Sequence, residues 1–535
     1  MTKENPWRPC GAILVVYFLV KLAAVPCSAQ SAGAKPISAK ITPAEEKAEA
    51  NLAAARTNPL QLRNFLLGLP KGTDLHYHLT GGVYAESFIR NGVADGLCVN
   101  VKDSAFVKCP ADVSAAGDCP ANWKSEAIVP AKTALCQQTL YDQLVNAFSM
   151  RGFVPYGSYT GHDHFFEAFA KFGAVSLSHE AEWVDEVAAR AAAQNEQYME
   201  LIETPDFSKA AQVASEVPWV DDLAKLRDAY LAHGILENAK ANVETFRESE
   251  RKRRETEHCG QPDALAACKV DTRFLWQVLR GKPKELVFAQ ALVAFESAQM
   301  DPERIVGIDF VQPEDGYITR RDFNLHMKMV KYLHQVYPAV HISLHAGEIT
   351  YGEVPSEDLC CHIRKAVEAG TERIGHGVDV MYEEHPHPLM RELAAKHIMV
   401  EINLTSNDVI LGVSGKNHPF PLYRQFGVPV SLSSDDEGVS RIDLTNEYVR
   451  AVSTYGLHYV DLKKLARTGM EHAFLPGQSL WAERDEFSRT VNACAKDSLG
   501  AEKPSTACGE FLGQSEKAAQ QWELERRFNQ FEAGL

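Results

Sequence analysis

Short apolar runs of β character recur along this 535-residue chain, at residues 73–78, 198–202, 285–293, 304–311, 340–345, 372–376, 398–403 and 428–433. Helical patterns such as 323–337 and 389–396 separate most of them. Strands parted by helices pair in parallel, because a parallel neighbour requires a long crossover. Eight such units predict an α/β fold, a (β/α)8 TIM-type barrel. Two stretches stand outside a plain barrel. Residues 95–160 hold Cys98, Cys109, Cys119 and Cys136 with little periodicity, and read as a disulfide-stapled, cysteine-containing insertion after the first strand. Residues 220–270 read as extra helices. The run Arg251-Lys252-Arg253-Arg254 there is flanked by Glu248, Glu250, Glu255 and Glu257, the pattern of a solvated helix face rather than a binding patch. The expected organisation is a signal peptide over 1–29, a lead and helix over 30–64, the barrel over 65–490, and a helical extension over 491–535.

The first residues read as an export signal. Lys3 and Arg8 precede an apolar run over 11–20, and small residues at Cys27-Ser28-Ala29 offer a cleavage site. The run is short for a membrane span and Lys21 interrupts it, so no stable span is expected. Lipidation at Cys27 is a minor alternative, since Pro26 before it is unusual. Removing Lys3, Glu4, Arg8 and Lys21 takes a net +2 from the formal charge of −16, leaving −18. An acidic surface repels polyanions, which argues against nucleic acid as a partner and suits a small neutral substrate. Outside the signal stand ten cysteines. In an oxidising compartment these suggest disulfides, with Cys259–Cys268 and Cys494–Cys508 as local pairs. No Cys-x-x-Cys occurs, so a cysteine zinc site is not expected.

Four segments carry chemistry. His76 and His78 in Asp74-Leu75-His76-Tyr77-His78 share one face of a strand. Ser343-Leu344-His345-Ala346-Gly347-Glu348 ends a strand in a histidine with a carboxylate close behind. Arg373-Ile374-Gly375-His376-Gly377 ends another strand in a histidine between glycines. Ser431-Leu432-Ser433-Ser434-Asp435-Asp436 ends a strand in paired aspartates. Any one of these has a bland reading as a cap, a turn or a solvated loop. All four, however, lie at the C-terminal ends of candidate strands, the face on which such barrels build active sites. Three histidines and one aspartate make a plausible zinc site with an open position for water. Glu348 and His376 are then left to handle protons.

On these motifs, together with Pro70-Lys71-Gly72, Val306-Gly307-Ile308-Asp309, the segment 401–407 and Ala473-Phe474-Leu475-Pro476, the sequence resembles the adenosine deaminase family of metal-dependent amidohydrolases. The resemblance covers roughly residues 65–480. The insertion after the first strand is also similar to that of the secreted adenosine-deaminase-related growth factors. The resemblance implies one zinc ion held by His76, His78, His345 and Asp435, whose bound water ionises near neutral pH. It implies Glu348 as proton donor to the purine ring, His376 as the group that orients the water, and Asp436 as a hydrogen-bonding contact to the ring. The reaction implied is hydrolytic deamination of adenosine or 2'-deoxyadenosine to inosine or 2'-deoxyinosine. Pro-Cys-x-x-Cys, the signature of the cytidine-type zinc deaminases, is absent.

Two positions depart from the family pattern. Thr80 stands where an acidic residue often contacts the sugar. Gln312 stands in Asp309-Phe310-Val311-Gln312-Pro313-Glu314, where the family has a glycine whose backbone touches the base. Both are candidate substrate contacts, and both leave room for adenine or an N6-substituted purine without touching the metal chemistry. A separate alternative, a secreted nucleoside-binding protein with decayed catalysis, is opposed by the intact His76, His78, His345, Glu348, His376, Asp435 and Asp436. His162-Asp163-His164 repeats the His-x-His spacing but precedes a helix over 165–172, which makes Asp163 a helix-terminal residue rather than a ligand. Phe165, Phe166 and Phe169 on that helix either wall a pocket or pack in the core. The expected partner is a small purine nucleoside, with a homodimer possible.

Overall fold

Eight parallel strands form one sheet: β1 (Gly72–His78), β2 (Glu196–Glu203), β3 (Asp271–Leu279), β4 (Ile305–Val311), β5 (His341–Ala346), β6 (Arg373–His376), β7 (Met399–Ile402) and β8 (Val430–Leu432). The computed structural model describes residues 41–114 and 123–535, and Thr42–Leu535 forms one unit. Each strand pairs with the next in chain order. The ends meet at a parallel bridge between Tyr77 and Asp435, where the Asp435 N–H donates to the His76 carbonyl (2.9 Å) and the His78 N–H to the Asp435 carbonyl (3.2 Å). The sheet therefore closes into a TIM-type barrel through the backbone of the residues that carry the candidate chemistry.

The helices that matter below are α1 (Gly161–Phe172), α2 (Lys284–Met300), α3 (Tyr317–Val336), α4 (His362–Ala369), α5 (Pro386–Ala395) and α6 (Leu404–Leu411). Seven of the eight expected strands are present. The eighth expectation is corrected: residues 285–293 lie in α2, and the third strand is β3. Every residue from Val287 to Phe295 is buried, so no polar face breaks the run and its helical period leaves no trace.

Residues between β1 and β2 carry a three-stranded antiparallel sheet of Cys98–Asn100, Ala105–Val107 and Ile128–Pro130, with a Cys98–Cys109 disulfide across it. Cys259–Cys268 and Cys494–Cys508 are disulfides. Residues 1–29, read as a signal, and Cys119 lie outside the described residues. In the basic run, Arg251 and Lys252 pair with Glu248 in solvent, as a solvated face should. Arg253 does not: it is buried and held by Glu250 (2.7 Å) and Asp185 (2.9 Å). Among the described residues no helix is long and apolar enough to cross a membrane.

Candidate active site

Strand ends deliver the side chains. His76 and His78 sit two apart on β1, His345 is the penultimate residue of β5, His376 ends β6, and Asp435 follows β8. In the β5–β6 register His345 lies opposite Gly375. A Cβ on Gly375 would stand 2.7 Å from His76 Cε1, so only glycine lets the two strands and the imidazole share that space. Backbone strain gathers at the same place: His376 (φ 69°), Asp435 (φ 63°) and Gln312 (φ 92°) are non-glycine residues in left-handed territory.

The imidazoles are aimed from behind. His76 Nδ1 lies 2.7 Å from Glu401 Oε2, His78 Nδ1 3.0 Å from Gln277 Oε1, and His345 Nδ1 2.8 Å from Asp309 Oδ2. Glu401 and Gln277 accept the Nδ1 protons of His76 and His78, and Asp309 stands at ion-pair distance from His345 Nδ1. Each ring thereby turns its Nε2 inward, the usual support of a metal-ligating histidine. Glu401 is itself fixed inside the barrel by Arg373 Nε (2.7 Å) and the Ser343 hydroxyl (3.1 Å). On the inner side His78 Nε2 and His345 Nε2 are 3.1 Å apart, His78 Nε2 is 3.4 Å from Asp435 Oδ1, and His76 Nε2 is 3.8 Å from it.

These residues fit a divalent metal. His76 Nε2 is buried with no hydrogen-bond partner, an arrangement that is costly unless something accepts its lone pair. Four ligands about 2.0–2.2 Å from a tetrahedral ion stand ~3.3–3.6 Å apart, close to the spacings above, and an N₃O donor set suits zinc. Burial and the neighbouring imidazoles hold His345 well below the ordinary histidine range, and burial takes His78 down to about 4. Burial also disfavours charge on His76, but the Glu401 hydrogen bond and Asp435 outweigh it and raise it to about 9, so a metal ion binding at its Nε2 displaces a proton. Burial works against the Asp435 carboxylate, yet the surrounding histidines keep its pKa low. Glu348 and Asp436 go the other way. Burial, then the charge of Asp435, pushes both carboxyls well above their usual range. Glu348, pushed toward its protonated form, thus stands near Asp435, which is held toward its carboxylate, a divergence of the kind general acid chemistry uses. Glu348 Oε1 is 3.5 Å from His376 Nδ1.

Above this cluster opens a cavity of about 410 Å³, the size of a small-molecule site. Thr80, Gln312 and Asp436 line it with His78, His345, Glu348, His376 and Asp435. Phe165, Phe166 and Phe169 also line it, so α1 is a wall of the pocket. The Gln312 side chain is turned aside, with Oε1 accepting from the Gly281 N–H (2.8 Å), which leaves the position open despite the departure from glycine. The Asp436 side chain occupies the space a Cβ on Gly81 would need. Among the described residues, His162 and His164 join no metal-capable cluster. Thr160 and Asp163 instead form a reciprocal cap at the start of α1.

Sequence reasoning missed Gln277 and Arg280, and pointed at Glu401, Asp309 and Glu314 only as parts of motifs. Misplacing β3 hid those two. Buried Arg280 donates to the carbonyls of His345 (2.9 Å) and Gln312 (3.0 Å). Glu314 accepts from the Gly347 N–H (3.0 Å), the Glu348 N–H (2.8 Å) and the ring of His362 on α4 (2.5 Å). Burial opposes its charge, but His362 and Arg280 hold it at about 2. One carboxylate therefore sets the backbone under Glu348. Glu314→Gln, whose amide nitrogen must face a donor, is expected to keep its metal and lose about 10²-fold in kcat, the scale of a slight misplacement of a reacting group. Steady-state kinetics with elemental analysis checks this.

Comparison with known proteins agrees with the geometry. A family model described as Adenosine deaminase matches residues 153–487, which span β2 to β8. An adenosine deaminase from Shewanella loihica is 33% identical over 174 residues, covering 32% of this chain and 48% of that protein. The matched stretch is thus about half of the relative's length. An adenosine deaminase from Escherichia coli is 34% identical over 149 residues, 28% of this chain and 42% of that one. Among solved structures, an adenine deaminase from Arthrobacter aurescens has 15% identity and a TM-score of 0.48, covering 76% of this chain and 94% of that chain. Since the family match runs over well over half of the sequence, and takes in His345, Glu348, His376 and Asp435, the chain belongs to the adenosine deaminase family.

Proposed function

We propose that this protein is a zinc-dependent aminohydrolase that converts adenosine or 2'-deoxyadenosine and water into inosine or 2'-deoxyinosine and ammonia. The observation that carries this reading is the convergence of the inward Nε2 atoms of His76, His78 and His345 with Asp435 beneath a cavity of about 410 Å³, with the Glu348 carboxyl, raised by burial above its usual range, at its edge. Zinc held by His76, His78, His345 and Asp435 would supply the Lewis acidity that ionises a water near neutral pH. Glu348 carries the proton that a purine ring nitrogen must receive as the amino-bearing carbon is attacked. His376 orients the attacking water. Asp436, whose Oδ1 is buried without a partner, hydrogen-bonds the ring on its five-membered side. Phe165, Phe166 and Phe169 hold the base against an apolar wall.

No Lys or Arg is among the described residues lining the cavity. Phosphate recognition ordinarily uses such cations, so the lining favours a nucleoside over a nucleotide. Export of the protein is part of the same proposal, supported by the signal-like residues 1–29 and by the disulfides Cys98–Cys109, Cys259–Cys268 and Cys494–Cys508.

Ammonia release by the zinc-loaded protein tests the reading. Adenosine and 2'-deoxyadenosine are expected to give a kcat/KM at least tenfold above adenine and N6-methyladenosine. Preference for adenine or an N6-substituted purine would redirect the substrate. Stoichiometric zinc and purine binding with no ammonia from any compound would replace an enzyme by a binding protein.

A further inference from the structure

His376 Nδ1 is surrounded by possible donors. The Asn407 amide nitrogen is 2.9 Å away, that of Asn403 3.4 Å, and Glu348 Oε1 3.5 Å. On the other side of the ring, Nε2 lies 3.8 Å from Asp435 Oδ2. Which nitrogen carries the proton depends on how the Asn407 amide is turned, and an amide alone does not reveal its orientation.

The surroundings of Asn407 settle it. Phe420 is the first residue of the helix Phe420–Gln425, and its N–H has no partner within that helix. That N–H donates to His418 Nδ1 (3.1 Å). A backbone N–H can only donate, so His418 Nδ1 must be bare. His418 is buried, and burial keeps it neutral, with a pKa of about 4. Its single proton is therefore on Nε2, which donates to Asn407 Oδ1 (3.0 Å). The Asn407 nitrogen then faces His376 Nδ1 as a donor, and His376 keeps its own proton on Nε2, turned toward Asp435.

We propose that His418 and Asn407 are positioning residues: through the Phe420 N–H, His418 and Asn407, the fold dictates that His376 presents an Nε2–H to the reacting centre. The benefit to turnover rests on the function proposed above, since a fixed donor at Nε2 can hold the oxygen of an attacking water or its ion in one orientation. The relay itself does not depend on that reading. Its three members lie on three different segments, β6, α6 and the approach to the helix Phe420–Gln425, so no local sequence pattern announces it.

Neutron diffraction from deuterated crystals of the zinc-loaded protein tests the proton placement directly. Deuterons are expected on His418 Nε2, twice on Asn407 Nδ2 and on His376 Nε2, with none on His376 Nδ1. A deuteron on His376 Nδ1 would overturn the proposal. Kinetics adds an independent arm. Asn407→Asp replaces the donor by an acceptor and is expected to lower kcat by about 10–100-fold, the cost of losing an orienting partner, with zinc content and KM unchanged. His418→Leu should fall similarly. His418→Gln, whose amide can still donate to Asn407 Oδ1, should recover most of the loss, which a packing role would not explain. Wild-type kcat in both Asn407→Asp and His418→Leu would equally overturn the proposal. Deuterons in the expected places, in a protein that turns over no aminopurine, would uphold the relay and reject the deaminase reading.

Discussion

Glu348→Gln is expected to bind zinc as the wild type does and to lose on the order of 10²–10⁴ in kcat, the contribution of a positioned general acid. The loss should fall on kcat rather than KM. Glutamine fills the same space and still accepts or donates a hydrogen bond to the ring, but it has no acidic proton to transfer. Two features make the wild-type carboxyl a proton carrier. It is buried, and it stands near the Asp435 and Glu314 carboxylates, all of which raise its pKa. Its backbone is clamped by Glu314 at 2.8 Å, so the variant should leave the fold of the turn intact. Kinetics at saturating adenosine, beside elemental analysis, decides the matter. Full turnover by the variant would mean that another group delivers the proton.

Asp435→Asn is expected to weaken metal binding by more than the ~10–100-fold that loss of an outer-shell partner costs, and to abolish deamination to the extent that zinc is lost. Asparagine is the informative replacement. Asp435 has a φ of 63°, a conformation that Asn tolerates and most residues do not, and its backbone closes the barrel against β1. The change therefore removes the anionic ligand and leaves the closure. Dialysis of the wild type against a chelator should give the same inactive state, reversed by adding zinc. A variant with wild-type zinc content would take Asp435 out of the ligand set.

Much of this arrangement is legible in the sequence, for a physical reason. Parallel strands are bracketed by helices, so their apolar runs stand out, and a side chain at a strand's end needs only that strand to be placed. His76, His78, His345, His376 and Asp435 each lie in or immediately after a readable strand, and all five meet at one end of the barrel. Helix α2 was misread because burial on all sides removes the polar face that marks a helix, and with it went β3 and the supports Gln277 and Arg280. The roles of Glu314 and His418 were illegible for another reason. Each acts through backbone N–H groups or side chains distant in sequence, such as His362 for Glu314 and Asn407 for His418. Their neighbours in the chain carry no sign of those partners. Gln312 shows a limit of another kind. Its identity marks a departure from a glycine that touches the base, while its side chain is folded back onto Gly281.

Anomalous diffraction recorded above and below the zinc absorption edge, on crystals of the protein as purified, addresses the central claim most directly. A single strong peak is expected among His76, His78, His345 and Asp435, within bonding distance of all four. Zinc located elsewhere, or no metal at these side chains in a protein that still deaminates adenosine, would contradict the account.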